Sequence, residues 1–476
     1  MVLRSAFHFT RRRIKCSILP TLVIPRVWMA TRIALGVSAA ICLATRNNIH
    51  GDSEKEDTTT ANSPADSSPL SFIAEKEMWE HQTRYLGSPT PEGLVRMYWY
   101  TWFETRIRIA SRGSRTLISI FDGDLVRRVN IADIVQENLW RNLESLFLWY
   151  RLDHNTPHPV EHIDKPHPPP GAVCDIIEGA VKSSDEYVLN QLLGRVFSST
   201  SKKNAVDAMR ATSASCLVSA LYEADVRLLH VASLGNMRGI LGRPRETEDG
   251  KTVYDVHVLS VDHTPDNPAE KSHIQGLHSG EDVTESTELF GRPYTRALGD
   301  GKLKWSPGVQ SRLHRDYLGA PPDPKIKTPP YISAQPDVNT IAILPGDFLV
   351  LSSHWLTECL TDEEVVGLVG VWLKKNQDHL YRKLDSSNPP EDLPTDLAVT
   401  LPEDLPVDLK DDKSVMYRRW NVPKRFINED VNPATHLARN ATGGADTDLR
   451  RALLQLAPFE SEGNVKSLGI AVVFFE

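Results

Sequence analysis

The chain has 476 residues, 40% hydrophobic and 24% charged, with 54 Lys and Arg against 62 Asp and Glu for a formal charge of -8. That composition excludes a collagen-like chain, a polytopic membrane protein and a chain disordered throughout. The five cysteines, at 16, 42, 174, 216 and 359, lack any Cys-x-x-Cys spacing, so neither a disulfide framework nor a structural zinc site is expected.

The charge is unevenly placed. Residues 1–51 carry eight Arg or Lys and no acid, leaving 46 basic and 62 acidic groups, a net of -16, in the rest. An Arg-rich, acid-free segment with apolar residues between its charges has the pattern of a mitochondrial presequence, drawn inward by the membrane potential. Residues 1–50 are expected to be that presequence. The apolar run 33–45 falls short of the roughly 20 residues that cross a bilayer. It leaves an inner-membrane association through 33–45 open, with Arg32 and Arg46 snorkelling at its ends. Residues 51–74, rich in Ser, Thr, Pro, Asp and Glu, read as a flexible linker, and 75–476 as the folded domain.

Within that domain, the apolar run 117–121 stopped by Asp122-Gly123 predicts a strand and a turn. Residues 151–171 are Pro-rich and carry His154, His158, His162 and His167. Their near-helical spacing suggests a metal site, but Pro157, Pro159 and Pro166 break the helix it needs, so a surface loop is expected. Runs 228–233 and 237–241 around Leu234-Gly235-Asn236 read as a hairpin. Residues 253–259 alternate as a strand with Tyr254, Val256 and Val258 on one face, and 348–351 form another strand. Thr361-Asp-Glu-Glu364 is a capping box opening a helix that buries Val365, Leu368, Val369, Trp372 and Leu373 at 3/4 spacing. Within 385–413, Pro-Glu-Asp-Leu-Pro-Thr-Asp-Leu at 390–397 recurs as Pro-Glu-Asp-Leu-Pro-Val-Asp-Leu at 402–409. This acidic insert is expected to bury no core. Asn432-Pro433 opens a helix that Gly443-Gly444 ends. Leu449, Leu453 and Leu456 mark a further helix face, and 468–475 a closing strand. Hairpins dominate, so antiparallel sheets are expected. Walker, G-x-G-x-x-G, G-x-S-x-G and H-E-x-x-H motifs are absent from the sequence.

Five segments, in this order, resemble the metal-dependent protein phosphatase family (PPM, protein phosphatase type 2C), most closely its fungal mitochondrial members related to pyruvate dehydrogenase phosphatase. They are Ile-Ser-Ile-Phe-Asp-Gly-Asp at 118–124, Thr-Ser-Ala-Ser-Cys at 212–216 leading to 231–242, Ser-Val-Asp-His-Thr-Pro-Asp-Asn-Pro at 260–268, Gly-Arg-Pro-Tyr-Thr-Arg-Ala-Leu-Gly-Asp-Gly-Lys-Leu-Lys-Trp at 291–305, and Pro-Gly-Asp-Phe-Leu-Val-Leu-Ser-Ser-His-Trp-Leu at 345–356. The resemblance implies an α+β fold, an α-β-β-α sandwich of two antiparallel sheets flanked by helix pairs. It also implies two Mg or Mn ions activating water against a phosphoryl group.

At the metal positions this sequence departs from the family. Asp122 and Gly123 keep the bridging Asp and the following carbonyl, but Asp124, Leu125 and Val126 replace the rest of that motif. His354 stands where a second metal Asp belongs. Lys466 and Ser467 replace the acid pair before the last strand, Asn236 replaces the accessory-metal acid, and Glu104-Thr105 aligns with a Glu-Asp. Glu104 and Asp300 are assigned to the outer shell, with Asp300 fixing the loop near the site. One carboxylate and one carbonyl do not hold two hard cations, which need several acidic oxygens. The resemblance thus implies a pseudophosphatase: metal binding weak or absent, no confident catalytic residue, and a binding role toward a phosphoprotein or a partner phosphatase. The alternative is an active Mg/Mn-dependent protein serine/threonine phosphatase acting on a mitochondrial phosphoprotein such as a pyruvate dehydrogenase subunit. Cys216 and Cys359 lie in apolar surroundings and read as core thiols. A basic, aromatic-interleaved patch is missing outside the presequence, so no nucleic-acid partner is expected.

Overall fold

The structure, a computed structural model, describes residues 83–86, 94–102, 105–123, 131–153, 168–198, 204–206, 211–281, 283, 287–381, 399–410, 415–456 and 467–475. The presequence with its 33–45 run, the 51–74 linker, Glu104, Asp124, the histidines at 154–167, the first acidic repeat and Lys466 lie outside the described residues. By contacts the chain divides after Asp66, and the described residues all belong to the second unit, Ser67–Glu476.

The first half of that unit runs β1 (Thr83–Leu86), β2 (Leu94–Trp102), β3 (Arg106–Arg112), β4 (Arg115–Gly123), α1 (Ala132–Asp153) and α2 (Pro170–Glu186), then a π-helical stretch (Tyr187–Leu192), α3 (Leu193–Ser198), β5 (Ala214–Glu223) and β6 (Leu228–Leu234). It continues through β7 (Arg238–Glu246), β8 (Thr252–Val258), α4 (Pro268–Leu277), β9 (Leu298–Gly299), α5 (Gly301–Lys304), α6 (Pro307–Tyr317), β10 (Asp337–Ala342) and β11 (Phe348–Ser352). Last come α7 (His354–Cys359), α8 (Asp362–Tyr381), β12 (Val399–Thr400), α9 (Val415–Trp420), β13 (Phe426–Ile427), α10 (Pro433–Ala441), α11 (Thr447–Leu456) and β14 (Leu468–Phe475).

Two large sheets result, ordered β1-β2-β14-β11-β7-β8 and β10-β6-β5-β4-β3, with β9 beside β5, and β12 and β13 form a separate two-stranded sheet. Every ladder between named strands is antiparallel. The central strands read as unbroken apolar runs because helices cover the face that the other sheet does not. Successive side chains leave a strand on opposite faces, so each run feeds two cores. In β4, Ile118 and Ile120 enter the core between the sheets, while Leu117 and Phe121 pack under α1, α2 and α3. In β14, Ala471, Val473 and Phe475 face the other sheet, and Ile470, Val472 and Phe474 face α7, α8 and α10. This is the four-layer α-β-β-α arrangement.

Local signals act as expected. Thr361 N–H donates to Glu364 at 2.8 Å and Glu364 N–H to the Thr361 hydroxyl at 3.2 Å. Asn432 caps α10 through its side chain, with Pro433 in the first turn. Cys216 and Cys359 are buried and in no disulfide.

Two expectations fail. The 228–241 segment is not a hairpin: β6 and β7 belong to different sheets, and the Leu234–Asn236 turn carries the chain across the sandwich. Gly235 makes this crossing with φ of +89° against the Cys216 sulfur, where a Cβ would approach to 2.3 Å. Nor is the acidic insert without a core. Its second repeat seats Leu405, 6% exposed, against α8, where Gly367 leaves room for it. An insert too polar to fold alone can still place one leucine in a notch that another element has prepared. The helices α1 to α3 and strand β10 carry no signal that the motif reading used.

Candidate functional site

The positions singled out by sequence gather where strand ends meet. Asp122 and Gly123 end β4, Thr105 precedes β3, Ser467 precedes β14, and His354 follows β11 by two residues. Register explains the gathering. Ser352 pairs with Ile470 on one side and Arg238 on the other, and Phe121 pairs with Arg106. Asp122 pairs with Cys216, whose sulfur lies against Gly235, bringing the Asn236 turn to the same rim.

At the centre of this rim the Ser467 hydroxyl donates to Asp122 Oδ1. Ser353 fixes that serine from below: its hydroxyl donates to the Ser467 carbonyl at 2.9 Å and accepts from Gly469 N–H at 3.0 Å, while its own N–H donates to the Gly469 carbonyl at 2.9 Å. Gly469 lies close against the neighbouring sheet, where a Cβ would fall 2.1 Å from the Thr105 methyl. The Thr105 hydroxyl is buried with no hydrogen-bond partner among the described residues. His354 is turned to its own helix, with Nε2 3.3 Å from Glu358. Asn236 is buried in the crossing turn. Asp300 is fully buried; its carboxylate accepts from Arg292 at 2.9 Å, and its N–H donates to the Ser213 carbonyl at 2.8 Å.

Two hard divalent cations bring four positive charges and call for several carboxylate oxygens. Beside Asp122 stands the neutral hydroxyl of Ser467, which already engages one of its oxygens. No group of three or more His, Cys, Asp or Glu converges among the described residues. These residues do not fit a two-cation centre.

A second polar cluster has no counterpart in the sequence reading. His263, fully buried, accepts from Gly235 N–H at Nδ1 (3.2 Å), so its proton sits at Nε2 and points at Asp337, 2.6 Å away. Arg296 donates to both Glu270 oxygens, at 3.0 and 2.5 Å, and lies 3.5 Å from Asp337; the Thr295 hydroxyl adds a 2.6 Å bond to Glu270. Burial opposes ionisation of Glu270, but the bonds from Arg296 and Thr295 outweigh it and hold its pKa below the ordinary value. Asp337 is lowered too, chiefly by the His263 hydrogen bond. This brace holds the crossing turn. His263 and Arg296 lie inside segments that carry the family resemblance, whereas Glu270 and Asp337 have no sequence signal.

Comparison with known proteins follows the same lines. The chain is 31% identical over 306 residues to a protein phosphatase 2C homologue of Schizosaccharomyces pombe, covering 63% of this chain and 62% of that protein. It is 29% identical to mitochondrial [pyruvate dehydrogenase [acetyl-transferring]]-phosphatase 1 of Saccharomyces cerevisiae (65% and 54% covered) and 34% identical to the human protein of that name (45% and 38%). It thus spans less than two thirds of the length of each of these relatives. Among solved structures, a serine-threonine phosphatase 2C from Toxoplasma gondii matches with a TM-score of 0.46 at 15% identity, over 83% of this chain and 99% of that one. The family profile "Protein phosphatase 2C" matches residues 150–387, which is 238 of 476 residues. With the paired antiparallel sheets, the flanking helices and the five segments in order, the chain belongs to the protein phosphatase 2C family.

Proposed function

We propose that this protein is a mitochondrial pseudophosphatase, a binding or regulatory member of a family whose catalysis generally depends on Mg or Mn. The observation that carries the reading is the Ser467–Asp122 hydrogen bond. The chain's own hydroxyl occupies an oxygen that a metal would need, at a position where the family resemblance places an acid. The rim keeps the shape of a phosphatase surface without the charge to hold two cations, so it would engage a phosphoprotein or a partner phosphatase without hydrolysis. The acid-free segment 1–50 and the word "mitochondrial" in the names of relatives support the location. In this reading 1–50 is a presequence, 51–74 a linker, and 75–476 the phosphatase-type domain.

A second reading, an active Mg/Mn-dependent protein serine/threonine phosphatase acting on a mitochondrial phosphoprotein, draws on the retained Asp122, the His354–Glu358 pair and the names of the two phosphatase relatives. One experiment separates the two. Calorimetric titration of the full chain with Mn²⁺ and Mg²⁺, with phosphopeptide hydrolysis followed in the same samples, is expected to give no two-ion binding and no turnover. The double variant His354→Asp, Ser467→Asp is expected to gain Mn²⁺ binding and to become more stable when Mn²⁺ is added. Turnover by the native chain equal to that of the variant establishes the second reading instead.

A further inference from the structure

The two acidic repeats agree at seven of eight positions, differing only at Thr395 and Val407. The second repeat shows how such a motif is held. Leu405 and Val407 enter the notch at Gly367, where a Cβ would lie 2.8 Å from the Leu405 Cβ and 3.1 Å from a Val407 methyl. Pro406 packs at Gly370, one turn on, where a Cβ would lie 2.8 Å from its ring and 2.6 Å from the Tyr254 ring. Two glycines inside one helix are costly to it, and here both face the same peptide. The Pro406 carbonyl accepts from Tyr254 N–H at 2.9 Å, extending β8, the edge strand of its sheet. Arg245 lies 3.6 Å from Asp408. Every one of these contacts except that of Val407 uses a residue that the first repeat also has.

We propose that the notch of Gly367, Gly370 and the β8 edge is a recognition site for the Pro-Glu-Asp-Leu-Pro-x-Asp-Leu motif, and that the first repeat, residues 390–397, exchanges into it in place of the second. Chain length permits the exchange. Gly367 lies about 21 Å back along α8 from Tyr381 at 1.5 Å per residue, and the twelve steps from Tyr381 to Leu393 span up to about 40 Å. Three features favour the second repeat at rest: Val407 where the first has Thr395, the Lys410–Glu363 pair at 3.6 Å, and the pairing of β12 with β13. Exchange keeps the notch filled while freeing Val399 and Thr400 from β13. The insert is thereby a loop with two registers. This inference stands apart from the reading of the metal rim.

Amide hydrogen exchange in the full chain tests it. Leu405→Asp disables the second repeat, and Leu405→Asp with Leu393→Asp disables both. Protection of the Tyr254 amide is expected to persist in the single variant and to fall by about tenfold or more in the double variant, with β14 protected in both. Equal loss in single and double variants overturns the exchange. So does persistence in the double variant, or protection of the single variant only in a concentration-dependent dimer. Should Leu405→Asp fail to fold, the composition-neutral Thr395→Val, Val407→Thr pair is read in its place. Loss of protection at Val399 and Thr400 with Tyr254 still protected supports the exchange; any other pattern overturns it.

Discussion

The rim at Asp122 and the brace under the crossing turn lie on neighbouring strand ends, yet they treat buried polar groups in opposite ways. In the brace, two carboxylates, an arginine and a histidine are linked by hydrogen bonds to one another and to Gly235 N–H. At the rim the bond is to a neutral group: the Ser467 hydroxyl bonds Asp122, and the Thr105 hydroxyl has no partner among the described residues. A scaffold whose geometry is kept by its own ion pairs does not need bound cations to keep its shape.

The largest effect is expected at the turn that the brace holds. Gly235→Ala places a Cβ within 2.3 Å of the Cys216 sulfur and 3.1 Å of the Arg296 carbonyl, at φ of +89°. Overpacking and backbone strain together are expected to cost about 3 kcal/mol or more, read as a lower urea midpoint.

Acid titration gives the next effect. His436, fully buried in α10, has its pKa lowered to about 4 by burial, so below the ordinary value of about 6.5 the unfolded chain binds a proton that the folded chain refuses. Stability should be full above pH 6.5 and fall by about 3 kcal/mol as the pH drops to about 4. Glu270 and Asp337, both lowered, contribute stability above their unfolded values, and that part is lost only below about pH 4. Urea midpoints across pH 3 to 8 should resolve two successive declines, the second belonging to the brace.

The smallest effect belongs to the rim. Thr105→Val replaces a buried hydroxyl that has no partner among the described residues by a methyl of the same shape, and should be neutral or stabilising by up to about 1 kcal/mol. A loss above 1 kcal/mol in thermal or urea unfolding would mean that the hydroxyl has a partner.

Much of the rim is legible in the sequence. Asp122-Gly123 stops an apolar run, and the serines and histidine at 353, 354 and 467 stand in recognisable segments. The brace is not, because Glu270 and Asp337 are ordinary acids on a helix and at a strand end. What makes them a unit with His263 and Arg296 is proximity across 26 to 74 residues of chain. The crossing turn misleads for a similar reason. A Gly-Asn turn between two apolar runs carries the same local signal whether the strands pair or part.

The sequence by itself determined the strand runs, the capping box at Thr361 and the Asn432 cap, since each is a matter of residue type within a few positions. Tertiary structure alone decided which sheet β7 joins, where the acidic repeat seats its leucine, and that Ser467 bonds Asp122 across 345 residues. Those outcomes depend on which buried surfaces meet, and pairing energy between distant segments leaves no periodic mark on either one.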